Sequence, residues 1–197
     1  MGRLKQLLPL GDRPVLRHTI DSLRQAGVTE MVVVCGADAE KYETALADSG
    51  ARLVQNDTAQ SEMADSVRMG LRQIEPAAYS AILVCLADHP LVRPETCTAL
   101  ISRHHQFPDK IVIPTFQGRR GHPTLFPTAI IDDIFRKAAS LRDIVHQDPA
   151  RLLMVEVVDE GVVLDMDAER DYRKVLALYQ ARSKGEDNAP TALGRIP

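Results

Sequence analysis

Short apolar runs alternate with amphipathic stretches along most of the chain. The apolar runs are mostly continuous and rich in β-branched residues, which predicts buried strands at Met31–Cys35, Arg52–Gln55, Ile82–Leu86, Ile111–Pro114 and Leu152–Val158. Helical spacing of apolar positions predicts helices at Pro14–Ala26, Ala39–Ser49, Ser61–Ile74, Pro94–His104 and Thr128–Ala138. This alternation predicts an α/β fold with a mostly parallel sheet covered on both faces, in which ligands bind at the carboxyl ends of strands.

The pattern ends near the carboxyl terminus. From Ser183 onward the sequence loses its period and gathers glycine, proline and charge, which is typical of a disordered tail. With 197 residues in total, we expect one domain over residues 1–182 and a tail over residues 183–197.

Composition argues against nucleic-acid-binding and membrane-spanning proteins. A net charge of −3, with basic and acidic residues spread along the chain, provides no basic stripe for nucleic acid. The longest apolar runs, Met31–Cys35 and Ile82–Ala87, are far shorter than the roughly 18 residues of a membrane span. Three cysteines without metal-site spacing, and no signal-peptide pattern at the start, favour the reducing cytoplasm.

Two acidic positions follow apolar runs. Asp88 comes directly after a buried run and before His89 and Pro90, so its carboxylate is expected at the end of a central strand, where a Mg²⁺ ligand fits. Asp167 follows another apolar run and could complete the site. The alternatives are a turn aspartate at Asp88 and a helix cap at Asp167.

The segment QGRRGHPTLFP combines glycines, arginines and a histidine. Arg119 and Arg120 could pair with a phosphate, but a hairpin turn with solvated arginines fits this stretch slightly better. His122 has a side chain suited to acid–base chemistry near neutral pH, yet no partner in sequence supports a catalytic role.

Polar residues also lead into the third predicted helix. Asn56, Asp57, Ser61 and Ser66 lie in the segment NDTAQSEMADSVRMGL, where a helix amino terminus favours anions. Ordinary helix capping by Ser61 is the alternative interpretation.

The order of these motifs is recognisable. They read GRLKQLLPLGDRPVL, VVVCG, NDTAQSEMADSVRMGL, LADHP, GRRGHPTLF, LRDIV and VVLDMDAERDY. From residue 2 to about residue 175, the chain resembles the molybdenum cofactor nucleotidyltransferase family, and most of all its cytidylyltransferase branch.

The resemblance implies a three-layer, Rossmann-like nucleotidyltransferase fold and a Mg²⁺-dependent enzyme. Such an enzyme transfers CMP from CTP to the phosphate of molybdopterin and releases pyrophosphate, with the acceptor phosphate attacking the α-phosphorus in line. This chemistry needs alignment and charge neutralisation more than covalent help. The implied partners are CTP or GTP, molybdopterin and a molybdenum hydroxylase that receives the cofactor.

The same resemblance assigns the site. Lys5 matches the family's phosphate-contacting lysine, and Asp88 and Asp167 match its two acidic metal ligands, which makes Lys5 and Asp88 the implied catalytic residues. The remaining matches are the nucleotide-binding residues Gly2, Asn56 and Ser66 and the acceptor-binding residues Gly121, His122 and Pro123.

The chain also departs from the family pattern. Members begin with a strand and a glycine-rich loop, of which only the final Met1 and Gly2 are matched here. We therefore expect unpaired edges on the two neighbouring strands and a start at an internal methionine of a longer gene. Glu62 replaces a glycine, and Ala168 and Glu169 replace Thr-Pro.

Three functional readings remain open at this point. The first is the cytidylyltransferase. The second is a nucleotidyltransferase that uses GTP or another phosphate acceptor. The third is a non-catalytic carrier or chaperone of the molybdenum cofactor.

Overall fold

The computed structural model describes residues 4–36, 38–58, 62–136 and 140–185. Its strands are β1 (Pro9–Leu10), β2 (Arg13–Pro14), β3 (Val32–Cys35), β4 (Arg52–Gln55), β5 (Ala81–Val84), β6 (Ile111–Phe116), β7 (Arg119–Arg120), β8 (Thr124–Pro127) and β9 (Leu152–Glu156). Its α-helices are α1 (Val15–Gln25), α2 (Ala39–Leu46), α3 (Met63–Leu71), α4 (Pro94–Gln106), α5 (Ile131–Arg136), α6 (Leu141–Gln147) and α7 (Glu169–Ser183). Short 3-10 helices lie at Lys5–Leu7, Pro76–Ala78, Thr128–Ile130, Pro149–Arg151 and Glu160–Val163.

The main sheet has the order β5-β8-β6-β7, and β9 pairs with β6. Strands β6 and β9 are parallel, whereas β8 runs antiparallel to both β5 and β6. The chain reverses between β6 and β7 at Gln117 and Gly118, which both have positive φ, and it then returns as β8. The α/β fold class is confirmed, and this hairpin makes the sheet mixed.

Strands β3 and β4 form a separate parallel pair, and no strand among the described residues pairs with both β3 and β5. This explains why β5, although apolar, is half-buried along its whole length, whereas β8 is fully buried. Helix α3 joins the two parts: a Cβ at Gly70 would lie 3.3 Å from Val34 of β3, while Leu71 packs in the cluster that Ile82 of β5 also contacts.

Helices cover both faces of the main sheet. Ile111 and Ile113 of β6 point into a cluster with residues of α3, α5 and α6. Val112, between them, points the other way and packs with Leu100 of α4. Alternate side chains of β6 thus pack into two hydrophobic cores, one on each face of the sheet. This gives the three layers that the sequence predicts.

The predicted elements are found with shifted ends. Helix α1 stops where Gly27, with φ of 88°, donates its N–H to the carbonyl of Arg24 at 3.0 Å, as expected of a glycine that ends a helix. The predicted helix over residues 128–138 is a 3-10 turn followed by α5, and residues 137–139 lie outside the described part. Strand β8 and helix α6 were not predicted.

Helix α7 extends to Ser183, the first residue of the predicted tail, and residues 186–197 lie outside the described part. No described helix has both the length and the apolar character needed to cross a membrane.

Candidate active site

Lys5, Asp88 and Asp167 meet at one point. The Nζ of Lys5 donates to Oδ2 of Asp88 at 2.6 Å and to Oδ1 of Asp167 at 2.7 Å. The Asp88 side chain is 15% exposed and that of Asp167 is 73% exposed. Three residues that are far apart in sequence therefore form one ion-pair cluster with a buried and an exposed side.

Local structure holds each carboxylate in place. Asp88 lies four residues beyond the end of β5, in a turn that His89 closes by donating its N–H to the carbonyl of Leu86 at 3.2 Å. Asp167 follows the buried Met166 and precedes α7, whose first turn is capped by Asp171 through the N–H of Ala168 at 2.9 Å. Because Asp171 does the capping, the carboxylate of Asp167 is available to Lys5.

The ion pairs shift the pKa values of Lys5 and Asp167. Burial alone lowers the pKa of Lys5, but the hydrogen bonds to Asp167 and Asp88 and the charges of both carboxylates outweigh burial and raise that pKa. The pKa of Asp167 is lowered, first by the hydrogen bond from Lys5 and then by its charge. Lys5 is therefore charged at neutral pH, and Asp167 is ionised.

Two carboxylates around one cation are a donor set that suits Mg²⁺ or Mn²⁺, which take carboxylate oxygens and complete their shell with water and substrate phosphates. The ammonium of Lys5 lies between the two aspartates as such a cation would. In the described part of the chain, no group of three or more His, Cys, Asp or Glu side chains is arranged to hold a metal ion. A divalent ion held by these two carboxylates would take its remaining ligands from substrate oxygens and water.

Asn56, which follows β4, and Ser66 of α3 form a second polar group. The Nδ2 of Asn56 donates to Oγ of Ser66 at 3.3 Å, and the Asn56 N–H donates to the carbonyl of Cys35 at 2.7 Å. Asn56 is 5% exposed, so this pair ties α3 to the strand ends. Gly2 and Ser61 lie outside the described residues, and Glu62 precedes α3 with an exposed side chain.

The Gly121–Pro123 turn rests on the 3-10 helix at Glu160–Val163. Gly121 donates its N–H to the carbonyl of Pro114 at 2.8 Å, and His122 donates its N–H to the carbonyl of Val162 at 2.8 Å. A Cβ at Gly121 would lie 2.4 Å from the Val162 carbonyl oxygen, so only glycine allows this approach of the two backbones.

The rings of His89 and His122 lie 5.2 Å apart. Burial lowers the pKa of His89, and burial followed by the neighbouring His89 lowers the pKa of His122 to about 4. Both rings are therefore neutral at pH 7. Nδ1 of His122 has no hydrogen-bond partner among the described residues.

Arg119 and Arg120 form β7 and are exposed. They pair in register with Phe116 and Thr115 of β6. The hairpin with exposed arginines is thus the arrangement found.

Asp159 is a buried hub that sequence reasoning missed. It is 2% exposed and accepts hydrogen bonds from the Arg93 N–H at 2.8 Å, the Thr96 hydroxyl at 2.7 Å, the Gly161 N–H at 3.0 Å and Nη2 of Arg182 at 3.1 Å. It fixes the 3-10 helix on which the Gly121–Pro123 turn rests. In the sequence, the stretch Asp159-Glu160-Gly161 looks like an ordinary turn. Nothing in it indicates that the aspartate is buried and accepts several hydrogen bonds.

Comparison with known proteins decides the family. The model of the MobA-like NTP transferase domain matches residues 1–152. The chain belongs to this family. Its ion-pair cluster is accordingly the candidate active site of a nucleotidyltransferase.

Solved structures share this architecture. Rv0371c from Mycobacterium tuberculosis H37Rv is 30% identical with a TM-score of 0.76, over 90% of each chain. A manganese complex of the same protein has a TM-score of 0.77, covering 89% of this chain and 93% of that one. A nucleotidyl transferase from Methanothermobacter, 23% identical with a TM-score of 0.78 over 90% of this chain and 86% of that chain, shows the same fold.

The bifunctional protein GlmU of Paraburkholderia xenovorans (strain LB400) is 28% identical over 182 residues. This match covers 92% of the chain but 38% of that relative. The chain thus spans well under half the length of this curated relative.

Proposed function

We propose that this MobA-like NTP transferase is a Mg²⁺-dependent cytidylyltransferase that transfers CMP from CTP to the phosphate of molybdopterin. The observation that carries the proposal is the meeting of Lys5, Asp88 and Asp167. The family resemblance assigns these residues to phosphate and metal binding. Asp88 lies 83 positions and Asp167 lies 162 positions after Lys5 in the sequence.

The cluster suits phosphoryl chemistry. Asp88 and Asp167 would hold the divalent ion, which when bound neutralises phosphate charge and aligns the triphosphate. Lys5 would exchange its two carboxylates for phosphate oxygens when the nucleotide binds, because its ammonium forms charge-assisted hydrogen bonds with either. A manganese complex of Rv0371c supports a divalent ion in a relative of this chain.

The reaction balances without a protein nucleophile. An oxygen of the acceptor phosphate forms a bond to the α-phosphorus of CTP while the bond to pyrophosphate breaks. No side chain has to take a proton from an acceptor that is already an anion. This agrees with the neutral, half-buried His122, to which we assign a binding role.

The remaining assignments follow the same placement. Asn56, at the end of β4, and Ser66, in α3, would contact the nucleotide, with Gly2 as a further contact. The Gly121–Pro123 turn would contact the acceptor. A molybdenum hydroxylase in the cytoplasm would be the recipient of the product.

Pyrophosphate release tests the proposal. Purified protein is supplied with CTP or GTP, Mg²⁺ and molybdopterin, with omission of the pterin as the control. Release with CTP that needs both pterin and metal supports the proposal. Pyrophosphate release with GTP but not with CTP, or with a different phosphate acceptor, would identify a nucleotidyltransferase of other specificity. Pterin binding without pyrophosphate release would identify a carrier of the cofactor.

A further inference from the structure

A small cavity lies between α1, α4 and the residues that follow β5 and β7. Its lining includes Thr19, His89 and His122, together with Cys85 and Cys97. The centre of a water molecule can occupy about 10 Å³ within it. One buried water needs about 10–15 Å³ measured in this way, so the cavity has room for a single molecule.

Three polar atoms at this cavity have no hydrogen-bond partner: Thr19 Oγ1, His89 Nδ1 and His122 Nδ1. Thr19 is 8% exposed and His89 is 6% exposed. A helical threonine often bonds the carbonyl one turn earlier, but Thr19 does not. Unpaired polar atoms are costly to bury, so three of them around one cavity indicate a shared partner.

The donors and acceptors are complementary to water. The ring of His89 interacts with the backbone of Gly161, whereas its Nδ1 has no hydrogen-bond partner in the described part of the chain. An imidazole nitrogen that carries no proton accepts a hydrogen bond. Water can donate one proton to each histidine Nδ1 and accept the hydroxyl proton of Thr19.

We propose that one structural water occupies this cavity, bridges Thr19, His89 and His122, and holds the turn of Asp88 in position.

A metal ion fits the cavity less well, although two thiols and two imidazoles line it. Burial raises the pKa of Cys85 and, with the nearby charge of Asp159, raises that of Cys97 to about 12. Without a metal both thiols are therefore protonated, and a metal ion would have to displace their protons to bind the thiolates. Within the described ranges, these side chains also do not form a group of three that could hold a metal ion.

The water would connect both sides of the metal site. His89 adjoins Asp88 in sequence, and it interacts with the backbone of Gly161, which lies six residues before Asp167. Loss of the water would let the His89 ring reorient. The positioning role rests on the proposed metal site, whereas the presence of the water does not.

A crystal structure of the whole chain at about 1.5 Å resolution tests the water directly. We expect a density peak within hydrogen-bond distance of Thr19 Oγ1 and of Nδ1 of both histidines. An empty cavity would overturn the proposal. A peak with tetrahedral Cys and His contacts and anomalous scattering would also overturn it, in favour of a metal.

Two variants of Thr19 test the positioning role. Thr19→Val keeps the shape but removes the hydroxyl, and Thr19→Ser keeps the hydroxyl. We expect Thr19→Val to weaken Mn²⁺ binding roughly three- to tenfold, below the 10- to 100-fold seen for groups that touch metal ligands directly, and Thr19→Ser to restore it. Unchanged Mn²⁺ affinity in Thr19→Val would refute the role.

The two proposals fail in different ways. If the parent protein binds no Mn²⁺, the metal site of the proposed function is wrong, and the density in the cavity still decides the water. If Mn²⁺ binds and the cavity is empty, the water is wrong and the metal site stands.

Discussion

Replacing Lys5 by methionine should strengthen metal binding while it strongly reduces nucleotidyl transfer. In the structure Lys5 lies between Asp88 and Asp167, where the divalent ion would bind, so a metal must displace its ammonium. Methionine keeps the length of the side chain and removes this competitor. The two effects have opposite signs, which a general loss of folding would not produce.

The size of the effect follows from the two contacts of Lys5. A hydrogen bond between charged groups contributes about 1.5–3 kcal/mol, and the partly exposed Lys5–Asp88 pair belongs at the lower end. The Asp167 contact is too exposed to add much. Relief of about 1.5 kcal/mol corresponds to roughly tenfold tighter Mn²⁺ binding at about 1.4 kcal/mol per factor of ten.

Mn²⁺ titration followed by electron paramagnetic resonance measures this affinity, and pyrophosphate release measures turnover. Lys41→Met is the matched control, because Lys41 is an exposed lysine paired with Asp38 at 2.9 Å. We expect turnover of Lys5→Met to fall about 10²- to 10³-fold, as for loss of one donor to the transition state. Unchanged or weaker Mn²⁺ binding in Lys5→Met would show that Lys5 does not hold the cation position.

Two further predictions concern the Gly121–Pro123 turn. Gly121→Ala should lower the free energy of unfolding by about 2–3 kcal/mol in a urea titration, because its Cβ would lie 2.4 Å from the Val162 carbonyl oxygen. Gly36 has open space around it, so the control Gly36→Ala should change the free energy of unfolding by less than about 0.5 kcal/mol. Equal effects of the two substitutions would contradict the close approach of the two backbones. Because the pKa of His122 is lowered to about 4 in the folded protein, His122 binds a proton more readily in the unfolded chain. Lowering the pH from 7.5 to 5 should therefore reduce the free energy of unfolding by about 2 kcal/mol through this group, and the pH dependence of stability should be smaller by that amount in His122→Gln. An unchanged pH dependence in His122→Gln would show that the pKa of His122 is not lowered.

Much of the site was predictable because its residues follow strands. Asp88 was placed by the apolar run of β5, and Asn56 by that of β4, since polar residues at the carboxyl ends of strands gather at one edge of a sheet. Lys5 could be assigned only by family resemblance, because a lysine near the start of a chain has no period or spacing that marks it.

The sequence pattern failed where tertiary contacts decide. The four residues of β8 are all buried, as those of a parallel strand would be, and the turn at Gln117 and Gly118 reverses their direction. Thr19 reads as one position of an amphipathic helix, and its unpaired hydroxyl becomes visible only when His89 and His122 come to lie beside it.

Calorimetric titration of CTP and GTP, with and without Mg²⁺, into the parent protein and Asp88→Asn tests the central claim most directly. We expect CTP to bind the parent in a Mg²⁺-dependent manner and Asp88→Asn to lose that dependence while it unfolds at the same temperature as the parent. Mg²⁺-dependent CTP binding that is equally tight in Asp88→Asn would contradict the account.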